Sequence, residues 1–133
     1  MPAEDLNGSR HRRESDLDRW EVQLRKGCLE MAVLAALAPG RNYGLEIIRA
    51  LERHSDLVLS EGTVYPILTR LRDDGLLTSS WVESETGHPR KYYSLTRLGY
   101  ERATRMAELW VQFTSGVTAL IRPLLPEQME KVR

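Results

Sequence analysis

The side chains able to do chemistry are few and scattered. His11, His54 and His88 fall in a polar N-terminal stretch, at a helix end and at a hairpin tip, and each reads as solvated rather than as a ligand or base. There is no Gly-rich phosphate loop, no zinc-ligand spacing and no pair of carboxylates in an apolar setting, so neither an enzyme, a metal site nor a cofactor is expected. The lone Cys28 opens an apolar helix and reads as structural; it cannot close an intrachain disulfide, which fits a reducing cytoplasm. What remains is phosphate chemistry. The hydroxyls of Thr63, Tyr65 and Thr69 can bond phosphate oxygens, Arg70 can reach a phosphate or a guanine edge, and Arg90-Lys91 is the only adjacent Arg-Lys pair after residue 26.

The chain has 133 residues, with 19 Lys+Arg balanced by 19 Asp+Glu. Residues 41–97 hold eight basic and eight acidic side chains. Any contact with a polyanion must therefore come from locally placed cations. Apolar residues make up 41% and charged residues 29%, a globular balance for one domain with tails. No apolar run approaches the roughly 20 residues of a membrane helix, and the start Met-Pro-Ala-Glu-Asp carries no signal segment, so no membrane partner and a cytoplasmic location are expected.

These side chains must be positioned by short helices and one hairpin. Residues 1–15, with Arg10-His11-Arg12-Arg13, read as a flexible tail that is either a solvated extension or a phosphate contact. Leu17, Trp20 and Leu24 give a short amphipathic helix over 16–25, which Gly27 interrupts. Residues 28–38 form a buried helix ended by Pro39-Gly40. Asn42 caps a helix over 43–54 whose inner stripe is Ile47, Ile48 and Leu51, and the Leu57-Val58-Leu59 run links it onward. Ser60 or Thr63 caps a third helix ending near Asp74-Gly75, with Val64, Ile67, Leu68 and Leu71 inward. Pro66 requires either that Thr63 be the cap or that the helix bend early. The period then changes to that of strands over 76–85 and 90–96, around Thr86-Gly87-His88-Pro89. A last helix over 97–122 carries Met106, Leu109, Trp110, Phe113, Val117, Leu120 and Ile121, and residues 123–133 are a tail.

This order predicts a mainly α protein with a small β-hairpin: a winged helix-turn-helix over 16–96 and a long C-terminal helix. The third helix is a rod that fits a DNA major groove, and the hairpin reaches the neighbouring backbone or minor groove. Arg70 and Arg72 could instead pair with Glu61, Asp73 or Asp74 on a solvated face. The last helix has more apolar surface than one domain can cover. Pairing with a second copy, joined by the Leu17/Trp20/Leu24 helix, would cover it. Two reading helices would then face successive major grooves about 34 Å apart and read an inverted repeat.

The segments Lys26-Gly27-Cys28-Leu29-Glu30, Tyr43-Gly44-Leu45-Glu46-Ile47, Ser60-Glu61-Gly62-Thr63-Val64-Tyr65-Pro66-Ile67-Leu68-Thr69-Arg70-Leu71 and Gly87-His88-Pro89-Arg90-Lys91-Tyr92-Tyr93-Ser94-Leu95-Thr96, with Gly99, resemble the PadR family of transcriptional regulators over roughly residues 25–121. The resemblance implies a dimeric winged-helix DNA-binding protein, usually a repressor, released by small molecules. It gives Ser60, Thr63, Tyr65 and Pro66 DNA-facing roles, places Tyr43 near phosphate, and assigns backbone contacts to Arg90 and Lys91 in the wing. Leu45 and Arg72 depart from the family pattern, where an aromatic residue and an acid are common. The single short final helix is similar to the compact subgroup, in which it serves as the dimer arm. In some multidrug-binding members a tryptophan on this helix lines a pore at the dimer interface. Trp110 then stacks on a small aromatic effector or only anchors the interface, with Trp20, Met106, Phe113 and Val117 around it. The competing class is a winged-helix protein-interaction module that does not read DNA sequence.

Overall fold

The computed structural model describes residues 3–54 and 60–127. Helix α1 spans Ala3–Ala36, strand β1 Asn42–Tyr43, helix α2 Gly44–His54 and helix α3 Glu61–Asp73. Strands β2 (Leu77–Val82) and β3 (Arg90–Leu95), helix α4 (Arg97–Ile121) and a 3-10 turn (Arg122–Leu124) follow. The residues 57–59 expected to link α2 to α3 lie outside the described residues, as do 128–133 of the expected C-terminal tail.

The expected interruption at Gly27 is not there, and residues 3–15, read as a flexible tail, are helical. A single internal glycine costs a helix only about 1 kcal/mol, and neither Gly8 nor Gly27 is forced to a positive φ. Local bonds support the exposed turns: Arg13 Nε donates to the Ser9 carbonyl at 3.3 Å, and Arg25 pairs with Glu21 at 2.6 Å. What changes near Gly27 is the buried face. Leu17, Trp20 and Leu24 are exposed, whereas Leu29, Val33 and Leu37 are in the core and by helical spacing lie on the far side of the rod.

The core gathers Val33 and Leu34 of α1, Leu37 in the turn after it, Ile47, Ile48 and Leu51 of α2, Val64, Leu68 and Leu71 of α3, and Leu76, Leu77 and Tyr93. Ala103 and Met106 of α4 pack on its edge. The sheet has three strands, not the expected two, in the order β1-β3-β2, all antiparallel. The hairpin strands are shorter than expected. They pair from Leu77↔Leu95 to Val82↔Arg90, and Glu83 to Glu85 belong to the wing loop.

The turn after α3 ties the domain to α4. Gly75 has φ +79°, the left-handed geometry that ends a helix, and Leu76 N–H donates to the Leu71 carbonyl while Gly75 N–H donates to that of Arg72. The Thr96 hydroxyl then donates to the Gly75 carbonyl at 2.7 Å and accepts from Gly99 N–H at 3.0 Å, capping α4.

Candidate nucleic-acid interface

Ser60 takes the cap position of α3 and Thr63 lies inside the helix. The Ser60 carbonyl accepts from Thr63 and Val64, and the Ser60 and Thr63 hydroxyls are 3.2 Å apart. Pro66 follows in the second turn, so the Gly62 carbonyl loses its intrahelical donor without stopping the helix. Ser60, Thr63, Tyr65 and Pro66 are all exposed along this start. Tyr65 also braces α3 on α2: its ring covers Gly44 so closely that a Cβ there would lie 2.6 Å from it. Thr69 donates its hydroxyl proton to the Tyr65 carbonyl at 3.0 Å, so in this conformation it offers a methyl group and an acceptor rather than a donor.

The wing lies beside this start. Gly87 takes φ +82° in the turn, and the Ser84 hydroxyl donates to the His88 carbonyl at 2.7 Å. The wing cations rest on aromatic rings. The Arg90 guanidinium lies 4.5 Å over Tyr43, Tyr43 meets Tyr92 edge-on at 5.4 Å, and Arg41 lies 5.1 Å over Tyr92. Lys91 Nζ stands 5.8 Å from the Trp81 ring and 5.9 Å from Tyr93. Such contacts hold a long cationic side chain near one orientation while leaving its charge intact. A cleft of about 530 Å³ runs between wing and helix, lined by Tyr43, Glu61, Tyr65, Trp81, Arg90 and Lys91 among others. Burial pushes the Tyr93 phenol up from its ordinary value, so this ring is a neutral floor beneath Lys91. On α2, a 2.6 Å hydrogen bond from Arg49 holds the Glu46 carboxyl below its ordinary range and engages the Arg49 charge locally.

Four of the nine expected DNA-facing residues, Tyr43, Tyr65, Arg90 and Lys91, therefore line one cleft, while Ser60, Thr63 and Pro66 are exposed near the start of α3 without lining it. Arg70 is placed differently. It approaches none of Glu61, Asp73 or Asp74; its Nη2 is 3.9 Å from Glu30 Oε2 on α1. Arg72 does pair with Asp73, at 3.6 Å. Trp81 and Arg41 were not singled out from sequence. Trp81 faces Lys91 directly across the β2–β3 register, so strand alternation would have found it; Arg41 precedes a two-residue strand that leaves no pattern.

The second group of residues lies elsewhere. Met106 packs on the core, while Trp110 and Phe113 lie farther along α4 and are 42% and 70% exposed. Val117 is half-buried, and Trp20 on α1 is 59% exposed. Among the described residues, no helix is long and apolar enough to cross a membrane.

Residues 33–105 match the model of the transcriptional regulator PadR-like family. The chain belongs to this family. Solved PadR relatives share the architecture. A PadR-like transcription factor from Bacteroides fragilis is 38% identical, with 77% of this chain and 98% of that one covered and a TM-score of 0.63. A PadR family regulator from Eggerthella lenta is 30% identical, over 84% and 96% of the two chains, with a TM-score of 0.73. A PadR-like regulator from Bacillus cereus is 31% identical, over 74% and 96%, with a TM-score of 0.68. The mainly helical fold with its small antiparallel sheet is thus the PadR winged helix, and the family's members are transcriptional regulators rather than enzymes.

Proposed function

We propose that the chain is a PadR-type repressor that binds double-stranded DNA as a homodimer. The observation that carries this reading is the cleft in which the exposed start of α3 faces Arg90 and Lys91, both seated on aromatic rings. A helix start with free amides and hydroxyls suits a groove and its phosphates, and the two wing cations suit the adjoining backbone. With a formal net charge of zero, one copy has little long-range attraction for DNA. Two copies double the local contacts without requiring a cationic molecule. Placed about 34 Å apart, two α3 helices read an inverted repeat. Such a protein would work in the cytoplasm.

The dimer reading rests on two apolar stripes that the domain does not cover, Leu17/Trp20/Leu24 on α1 and Trp110/Phe113/Leu120 on α4. Trp110 at such an interface gives a planar apolar wall on which a small aromatic effector can stack. Binding would release DNA by favouring a dimer geometry in which the α3 helices miss their grooves.

The test is the salt dependence of binding to a duplex recovered from a random pool with the wild-type protein. The logarithm of affinity should fall steeply with the logarithm of salt concentration, and Arg90→Ala or Lys91→Ala should each flatten the slope by roughly 0.9. An unchanged slope in both variants removes the wing contacts. Absence of salt-dependent binding in the wild type leaves a protein-interaction module as the function of the fold.

A further inference from the structure

Glu30 is the only charged residue between Cys28 and Ala38, and its carboxylate stands between two guanidiniums from different elements. Its Oε2 is 3.9 Å from Arg70 Nη2 on α3, and its Oε1 is 3.7 Å from Arg102 Nη1 on α4. These are ion pairs by distance rather than hydrogen bonds. The side chain of Glu30 is 32% exposed and that of Arg70 is 58% exposed, so each pair is weak and exchangeable. One carboxylate on α1 thus bridges the reading helix and the C-terminal arm.

We infer that Glu30 is a positioning residue for Arg70, dividing its charge between Arg70 and Arg102 so that the position of α4 sets how freely Arg70 meets DNA. The inference rests on the DNA-binding reading above. A phosphate competes with Glu30 for the same guanidinium. While Arg102 shares the carboxylate, the pull on Arg70 is divided and the phosphate wins more readily. When Arg102 is withdrawn, the whole charge faces Arg70 and holds it against α1. Only α4's first turns are docked on the core, so a change in how its distal half is held reaches Glu30 through Arg102. The hub is one carboxylate rather than a train of packed side chains, so the coupling can be tested pairwise.

The experiment is a double-mutant cycle on the full chain, with the duplex recovered from a random pool as probe. Glu30→Gln should tighten binding roughly 2- to 5-fold and steepen the salt slope by roughly one contact. Arg102→Gln should weaken binding by a similar factor while Glu30 is present and leave affinity unchanged in the Glu30→Gln background. An equal loss in both backgrounds means that Arg102 acts only as a general positive charge, and overturns the inference. A second readout needs no DNA: the Nε–H resonance of Arg70, assigned with Arg70→Gln. It should shift on Arg102→Gln, and that response should vanish when Glu30 is Gln. A resonance indifferent to Arg102 overturns the fork whatever DNA does. If no duplex is bound in a salt-dependent way, the DNA reading falls alone and the resonance decides the fork.

Discussion

A methyl group added at Gly99 would overlap the Leu76 carbonyl, an obstacle of backbone rather than of a flexible side chain. Gly99→Ala should therefore destabilise the fold by about 2–4 kcal/mol, read as a lowered thermal midpoint, because α4 must lift off the turn that Thr96 ties down. Gly44→Ala makes a clash of the opposite character. The added carbon meets the outer atoms of the Tyr65 ring at 2.6–2.7 Å, and Tyr65 is partly exposed and can swing aside. Its melt should change by less than about 1 kcal/mol while duplex affinity falls, since Tyr65 leaves the rim of the cleft. Tyr93 gives the pH prediction. Its folded pKa is raised above 10.0 by burial, so the unfolded chain ionises first as pH rises. Stability from this residue is complete below the unfolded value and is lost as pH climbs from there through the folded one. Tyr93→Phe should flatten the fall of the denaturation midpoint above about pH 10. At this scale the sequence was readable where a residue's role is local. The inward stripe of α3 stands as expected, and Arg90 and Lys91 lie on the wing. Arg70 was not readable in full, because its partner is Glu30, forty positions away and joined to it only by tertiary packing.

The elements were legible where burial stays on one face. α2, α3 and α4 keep their period and their positions follow from it, α2 starting at Gly44, one residue later than expected; the hairpin strands are where expected but shorter, without a clean alternation of burial. In α1 the apolar face changes side between Leu24 and Leu29, as the rod passes from solvent into the core, and a change of face looks like a break in one dimension. β1 was invisible for another reason: two residues carry no alternation, and only register with Tyr92 and Tyr93 makes them a strand. The continuity of α1 is testable. Among the described residues, no atom outside the adjoining helix backbone lies within 4 Å of the position a Gly27 Cβ would occupy, so Gly27→Ala relieves the helix without new tertiary contacts. It should raise stability by about 1 kcal/mol and sharpen the helical signal in circular dichroism. Two helices hinged at Gly27 would show no gain, or a loss.

At the scale of the whole molecule, the decisive feature is where α4 leaves the core. Gly99, Ala103 and Met106 dock it. By helical spacing Trp110, Phe113 and Val117 continue the same face beyond the domain, where Trp110 and Phe113 stay exposed. A face that begins as core and continues into solvent fits a second chain taking over where the first stops. The double variant Trp110→Ala, Phe113→Ala separates assembly from folding. Neither residue belongs to the core, so the thermal midpoint of the winged domain at concentrations that dissociate both proteins should match the wild type. Sedimentation should shift from dimer to monomer, and duplex binding should weaken with a salt slope near half the wild-type value, because one copy meets only one half-site's phosphates. Fusing the variant to an unrelated dimerising coiled coil at its C-terminus should recover much of the affinity by restoring effective concentration. A double variant that sediments and binds like the wild type would show that the arms do not clasp through this face. In that case the spacing of two reading helices on one duplex would need another origin.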